Sequence, residues 1–86
     1  MRVYIPSPLR SYTAGQGKVE SLGATLGEVM EDLDIKFPGI RFRMIDEQDC
    51  LRKHIKVFIN SNEVSGLSAR IHSIDEIHII CALSGG

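Results

Sequence analysis

The chain has 86 residues, which is enough for one domain with a single compact core. Its formal net charge is −1, so it lacks the basic excess of nucleic-acid-binding proteins, and no apolar run approaches the roughly 20 residues of a membrane span. We therefore expect neither a nucleic-acid nor a membrane partner. The first residues lack the apolar region of a signal peptide, and the cytoplasm is the expected location.

The N-terminal part is predicted to form a β-hairpin. From residue 2 to residue 5, apolar and polar side chains alternate, which is the pattern of a strand with one buried face. Pro6 and Pro8 end this strand, because proline donates no hydrogen bond to a neighbouring strand. Residues 11–17 contain two glycines and indicate a loop or hairpin tip. Residues 18–22 then form a second short strand, antiparallel to the first.

A single amphipathic helix follows the hairpin. Thr25 precedes Glu28 by three residues, which is the capping-box pattern of a helix start. Pro38 and Gly39 end the helix. The apolar side chains that share one face of it are Leu26, Val29, Met30 and Leu33, with Phe37 continuing the seam.

The second half of the chain is predicted to supply the rest of a sheet. Residues 40–51 alternate only partly, so no regular element is assigned there, and residues 54–60 form a central strand. Residues 63–64 add a short edge strand, and residues 68–73 form a loop or a single helical turn. Residues 77–83 make the final strand.

This order of elements predicts an α+β fold, in which a mixed sheet packs against one main helix. The arrangement is that of a β-grasp (ubiquitin-like) domain, with the last strand inside the sheet beside the first. We predict that this domain comprises residues 1–83.

The chain ends in a tail without bulky side chains, Ser84-Gly85-Gly86. Glycine lacks a Cβ atom, so it adopts almost any backbone conformation and passes through a narrow channel. Counted from Leu83, the tail can span about 13 Å, at about 3.3 Å per residue. A carboxylate on a flexible tail over residues 84–86 can therefore enter the active site of another protein while the domain stays outside.

Several stretches along the whole chain carry a family pattern: Val3-Tyr4-Ile5-Pro6 with Leu9-Arg10, Ala24-Thr25-Leu26-Gly27-Glu28-Val29, Phe37-Pro38-Gly39-Ile40, Ile55-Lys56-Val57-Phe58-Ile59-Asn60, and Asp75-Glu76-Ile77-His78-Ile79-Ile80 with Ser84-Gly85-Gly86. They resemble the ubiquitin-like sulfur carriers of the MoaD/ThiS family, which includes the small subunit of molybdopterin synthase and carriers of thiamine and cysteine biosynthesis. The long segment 37–54 is more similar to the molybdopterin and cysteine branch.

This resemblance implies how the tail is used. An ATP-dependent activating enzyme adenylates the Gly86 carboxylate, and a persulfide or sulfide donor then displaces AMP and leaves a thiocarboxylate. A sulfur-accepting biosynthetic enzyme transfers that sulfur to a metabolite. The chain is then a protein co-substrate and not an enzyme, either as a free carrier or as the small non-catalytic subunit of a molybdopterin-synthase-like complex. It needs no cofactor of its own, because ATP is used by the activating partner.

Two surfaces are candidates for partner docking. The resemblance implies that Leu83 docks on the activating enzyme, while Ser84 and Gly85 give access to Gly86. Phe58 lies on the outer face of its strand, and with Ile80 and Leu83 it can form an exposed apolar patch. The alternative for Phe58 is packing beneath the segment 37–50. The second surface is a basic cluster, for which both solvent exposure and partner contact remain open, formed by Arg41, Arg43, Arg52 and Lys53.

The two cysteines are expected to be reduced thiols in or near the core. Strand alternation places Cys81 on the core side with Ile77 and Ile79, while Cys50 has no pattern of its own. Neither a plant-type iron–sulfur cluster nor a structural zinc site can be built from two cysteines and histidines at this spacing. We therefore expect no metal site and exclude a β-grasp redox domain.

Three functions remain open at this point. The first is a sulfur carrier. The second is a ubiquitin-like modifier that forms isopeptide bonds to lysines through Gly86, and it has the same fold and tail because both begin with adenylation. The third is a binding module whose terminal glycines have no role. The sequence does not distinguish between a molybdopterin precursor, an activated serine, a thiazole or another thio-metabolite as the sulfur acceptor.

Overall fold

Alternating apolar residues bring the strands together into one mixed five-stranded sheet, whose buried face is covered by helices. The computed structural model describes residues 1–82, and Leu83 to Gly86 lie outside the described part. The strands are β1 (Arg2–Tyr4), β2 (Lys18–Glu20), β3 (Ile55–Ile59), β4 (Asn62–Val64) and β5 (Glu76–Cys81), and the helices are α1 (Leu26–Lys36), α2 (Ile40–Met44) and a 3₁₀ helix (Ser7–Thr13).

The strand order in the sheet is β2-β1-β5-β3-β4. The last strand in sequence therefore lies in the middle, parallel to β1 and antiparallel to β3. Val3 lies beside Ile77 in the parallel pair, and Val57 lies beside Ile79 in the antiparallel pair. All four side chains are buried on the helix side of the sheet. The predicted β-grasp arrangement is confirmed.

Helix α1 begins where the capping pattern predicts. The Thr25 side-chain oxygen accepts a hydrogen bond from the Glu28 backbone N–H at 3.2 Å. The Glu28 carboxylate reaches back and accepts from the N–H of Ala24, the residue before the cap, at 2.8 Å, so the chain entering the helix is bonded to its first turn. Its predicted apolar face joins the core, which contains Val3, Ile5, Leu9, Val19, Leu26, Val29, Met30, Leu33, Ile40, Met44, Ile45, Ile55, Val57, Ile59, Ile71, Ile77 and Ile79.

Helix α2 was not predicted from the sequence. Ile40 and Met44 are one helical turn apart and both are fully buried, so this short helix adds a second piece to the layer that covers the sheet. Asp34 fixes its start, because its carboxylate accepts hydrogen bonds from the backbone N–H groups of Gly39 and Arg41, each at 3.1 Å. Gly39 has a φ of 98°, a conformation that favours glycine.

The hairpin loop also differs from the prediction. In place of an open loop over 11–17, a 3₁₀ helix starts directly after Pro6 and ends at Thr13. The Leu9 side chain of this helix is buried in the core, and the buried Thr13 hydroxyl donates to the Gln16 carbonyl at 2.7 Å. Leu9 therefore anchors this loop to the core, and the alternation of apolar residues did not identify it.

Candidate functional site

The tail begins at the middle of the sheet. Strand β5 ends at Cys81, and the next backbone N–H, that of Ala82, donates to the His54 carbonyl at 2.7 Å. Pairing with β3, which extends to Cys81, therefore fixes the point from which residues 83–86 continue. The predicted roles of Leu83, Ser84, Gly85 and Gly86 fall on residues outside the described part and stay predictions.

The loop before β5 is also fixed by hydrogen bonds. The Asp75 carboxylate accepts from the His72 backbone N–H at 2.8 Å and from the Asn60 side-chain amide at 3.1 Å. Chiefly because of the His72 bond, the pKa of Asp75 is below its usual value. Asn60 in turn accepts from the Glu76 N–H at 3.1 Å. This network positions the start of β5, and with it the register that leads to the tail.

The sheet face away from the helices carries a group of four side chains, Tyr4, Phe58, His78 and Ile80, which we call the open-face patch. Strand register brings them together: Tyr4 lies beside His78 in the parallel pair, and Phe58 lies opposite His78 in the antiparallel pair. Ile80 follows two residues later on the same face and is 46% exposed, which is unusual for a large apolar side chain on a central strand.

An aromatic stack forms the middle of this patch. The rings of Tyr4 and His78 lie 4.4 Å apart between centroids and are almost parallel, with an interplanar angle of 2°. Glu76 borders the stack, because its carboxylate lies 3.6 Å from the Arg2 guanidinium and 3.6 Å from His78 Nε2. The patch is therefore flat and aromatic in its middle, with a charged pair at one side.

Phe58 lies on the outer face of the sheet, as strand alternation predicts. It is half-buried on the outer face, and it is absent from the partly buried side chains that pack against the core. The segment 37–50 contributes Ile40 and Met44 to the opposite, buried face. The alternative packing of Phe58 beneath that segment is therefore wrong. Its role in partner binding stays a prediction.

A groove of about 480 Å³ lies beside the root of the tail, where β1 stops and β5 continues. Pairing between the two strands ends at Tyr4 and His78, because Pro6 turns the chain into the 3₁₀ helix. The groove extends from Pro6 to Ile80 and Cys81. Together with the open-face patch, it leaves one side of the β5 end open to a partner.

The predicted core position is confirmed for Cys81 and wrong for Cys50. Cys81 is partly buried and packs against the core. Cys50 is exposed, since the polar turn around Asp46 directs it outward. The Asp46 carboxylate accepts from the backbone N–H groups of Cys50 and Gln48, which lowers the pKa of Asp46. Neither thiol is in a disulfide.

The predicted basic cluster is divided in the structure. Arg41 pairs with Asp49 at 3.2 Å, whereas Arg43 and Arg52 line a separate groove with Phe42 and His54.

The sequence did not assign a role to Tyr4 or His78. The available signal was alternation, because both residues occupy the same strand face as Phe58 and Ile80.

Among residues 1–82, the structure contains neither a membrane-spanning helix nor a cluster of metal-binding side chains. No helix in that range has the length and apolar character needed to cross a membrane. Within the same range, no group of three or more His, Cys, Asp or Glu side chains is arranged to hold a metal ion.

Comparison with known proteins gives a match over nearly the whole chain. The family model described as the ThiS family matches residues 3–86. The chain is 35% identical over 89 aligned positions to the sulfur carrier protein CysO of Mycobacterium tuberculosis strain H37Rv, with 98% of this chain and 96% of that protein covered.

Solved structures agree with the sequence comparison. A crystal structure of the Amycolatopsis orientalis BexX/CysO complex contains a chain with a TM-score of 0.92 and 35% identity, covering 99% of this chain and 98% of that one. The solution structure of small archaeal modifier protein 1 from Methanosarcina acetivorans gives a TM-score of 0.81 at 26% identity, with 99% and 94% covered. One relative is thus described as a sulfur carrier and another as a modifier.

Proposed function

Because the chain belongs to the ThiS family and is a sulfur carrier of that type, we propose that it carries sulfur as a thiocarboxylate on Gly86. An activating enzyme adenylates the Gly86 carboxylate, and a sulfur-accepting biosynthetic enzyme later takes the sulfur. The observation that carries the proposal is the family match itself, which extends through residue 86 and so includes both terminal glycines.

The chemistry explains the need for ATP. A carboxylate is a poor electrophile, so one oxygen of Gly86 attacks the α-phosphorus of ATP and pyrophosphate leaves. Hydrosulfide from the donor then attacks the carbonyl carbon of the acyl-adenylate, AMP leaves, and the thiocarboxylate remains. With a persulfide donor, a second thiol must cleave the sulfur–sulfur bond. The activating enzyme supplies the nucleotide site for these steps.

The position of the tail supports this proposal. Ala82 is held against β3 by its bond to His54, and from that point the remaining four residues can reach about 13 Å, at about 3.3 Å per residue. Ser84 and Gly85 have little bulk, so they give Gly86 access to a narrow active site. The folded domain then stays outside that active site.

The open-face patch is the proposed docking surface. Phe58 and Ile80 lie on a sheet face that no helix covers in the part of the chain described, and Leu83 follows Ile80 along the chain. Apolar and aromatic side chains surrounded by charged pairs are typical of the centre of a protein interface. We propose that Phe58 and Ile80 contact the activating enzyme and that Leu83 adds a third apolar contact.

Intact mass spectrometry tests the function. The full chain, incubated with the activating enzyme of its own organism, ATP and sulfide, should gain the mass of one sulfur minus one oxygen at Gly86. The matched control is a chain that ends at Ser84, which should show no such gain. A full chain that forms neither an adenylate nor a thiocarboxylate with that enzyme would contradict the proposal.

A second candidate function is conjugation to protein lysines through Gly86. The observation that favours it is the likeness to small archaeal modifier protein 1, at 26% identity over nearly the full chain. Conjugates of high mass that depend on Gly86 and form without a thiocarboxylate would support the modifier. A thiocarboxylate that forms without any conjugate would support the carrier alone.

A further inference from the structure

Two arginines are held around a shallow groove close to the tail. Arg43 donates its Nε–H to the Tyr12 hydroxyl at 2.6 Å. Arg52 donates its Nε–H to the Phe42 carbonyl at 2.7 Å, and its guanidinium lies 4.5 Å from the centroid of the Phe42 ring. Both bonds use Nε and therefore leave the terminal nitrogens of the two guanidinium groups available. Within residues 1–82, neither arginine forms a salt bridge.

The groove has a cationic lining. Its volume is about 260 Å³, and the side chains that line it are Phe42, Arg43, Arg52 and His54, none of which is acidic. The positive charge of Arg52 also makes a small contribution to the lowered pKa of Asp46, which is due chiefly to the hydrogen bond from the Cys50 backbone N–H. We call this feature the basic groove.

The basic groove lies directly beside the root of the tail. His54 lines it, and the carbonyl of the same residue accepts the Ala82 N–H at 2.7 Å. Four residues at about 3.3 Å each give Gly86 a reach of about 13 Å from Ala82. An enzyme that binds the Gly86 carboxylate in its active site therefore has its own surface within about 13 Å of Ala82, and His54 connects that position to the basic groove.

We propose that the basic groove binds an acidic surface segment of the activating enzyme, with side-chain carboxylates paired to Arg43 and Arg52. This inference rests on the proposed function. A guanidinium group binds a carboxylate through two parallel hydrogen bonds, and an arginine that is already oriented loses less entropy on binding. The formal net charge of the chain is −1, so the attraction is local to this groove and orients the carrier rather than drawing it in as a whole.

The experiment compares two variants with the same change in net charge. Arg43→Gln/Arg52→Gln removes two positive charges from the basic groove, and Arg70→Glu changes the net charge equally at an exposed position near the start of α1. The activating enzyme of the same organism is assayed by ATP–pyrophosphate exchange with each carrier. Circular dichroism and thermal unfolding check the fold, and the two single substitutions replace the double variant if it unfolds.

The expected result is a salt-dependent increase in the KM for the carrier. At about 0.05 M salt, the double variant should raise the KM for the carrier about tenfold with kcat changed less than about twofold, because the lost contacts act on association. At about 1 M salt the difference should fall below about threefold, since charges are screened beyond about 3 Å. Arg70→Glu should change this KM less than about twofold.

The other possible results separate a failure of the basic-groove proposal from a failure of the proposed function. An equal KM for the double variant, for Arg70→Glu and for the unmodified chain would overturn the basic groove while leaving the proposed function intact. A raised KM for ATP instead of for the carrier would also overturn it, because the arginines would then act on the nucleotide. If the unmodified chain supports no exchange and gains no thiocarboxylate, the proposed function fails, and this inference fails with it.

Discussion

Tyr4 and His78 stack face to face across the parallel pair of β1 and β5, with their centroids 4.4 Å apart. The two residues come from opposite ends of the sequence, so the stack joins the N-terminal strand to the strand that leads into the tail. Because both rings lie on the sheet face turned away from α1 and α2, the contact adds to sheet stability and also forms the floor of the open-face patch.

The stack should be measurable as a coupling energy. Tyr4→Ala, His78→Ala and the double variant form a cycle in which urea unfolding gives the free energy of each chain. We expect a coupling of about 0.5–1.5 kcal/mol, the usual worth of an aromatic pair beyond its buried area. Strictly additive losses would contradict an energetic role for the stack. Tyr4→Phe is the control, since it keeps the ring and removes only the hydroxyl near Glu76.

The open-face patch should affect partner binding without affecting the fold. Phe58→Ser and Ile80→Ser remove exposed or half-exposed apolar side chains, so unfolding free energy should change by less than about 1 kcal/mol. Thiocarboxylate formation by the activating enzyme should nevertheless show a KM for the carrier raised about tenfold, which is the effect of losing about 1.4 kcal/mol of binding.

Ile35 provides the matched control for the patch. It is 80% exposed on α1, in the layer that covers the other face of the sheet, so Ile35→Ser removes a similar apolar side chain far from the patch. The KM for the carrier should stay unchanged in this variant. An equal increase in all three variants would show that general loss of surface apolarity, and not the patch, is responsible.

The cap of α1 should have a measurable effect on stability. Thr25→Ala removes the acceptor of the Glu28 N–H bond and should cost about 1 kcal/mol in urea unfolding. Thr25→Ser keeps a hydroxyl at the same place and should retain most of the stability. Equal stability of the alanine and serine variants would mean that the Glu28 carboxylate bond to Ala24 alone stabilises the first turn.

The sequence predicted the features that depend on regular spacing. The start of α1 at Thr25, the strands around Val3 and Val57, and the outward position of Phe58 all follow from periods of 3.6 and 2 or from capping chemistry. The fold class followed because one apolar helix face and one half-apolar sheet can be buried only against each other.

Features that depend on tertiary contacts could not be predicted. Helix α2 is only five residues long, so Ile40 and Met44 give a single helical repeat, and burial against the core decides its conformation. The Tyr4–His78 stack depends on the register of two strands distant in sequence. The division between Arg41, which pairs with Asp49, and Arg43, which does not, also requires three-dimensional structure.

Hydrogen bonds between α1 and the residues after β2 should make stability depend on pH through Asp32. Its carboxylate accepts hydrogen bonds from the Ser21 hydroxyl at 2.8 Å and the Leu22 N–H at 3.1 Å, and it pairs with Lys36 at 3.0 Å. Chiefly because of the Ser21 bond, the pKa of Asp32 is lowered in the folded chain. The unfolded chain therefore takes up the proton first, at its ordinary pKa of about 3.9.

Because the unfolded chain is protonated at a higher pH than the folded chain, Asp32 loses its stabilising effect as the pH falls. The stability that Asp32 contributes is complete above about pH 5 and is lost as the pH falls through about 3.9 and on through the lower pKa of the folded chain. Asp32→Asn should thus be less stable than the unmodified chain at pH 7, by about 1 kcal/mol, and the difference should shrink steadily below about pH 4. Urea unfolding at several pH values measures it, with Glu31→Gln, an exposed neighbour on α1, as the control that should show no such convergence. A difference that stays constant from pH 7 to pH 3 would mean that Asp32 acts through packing rather than through its charge.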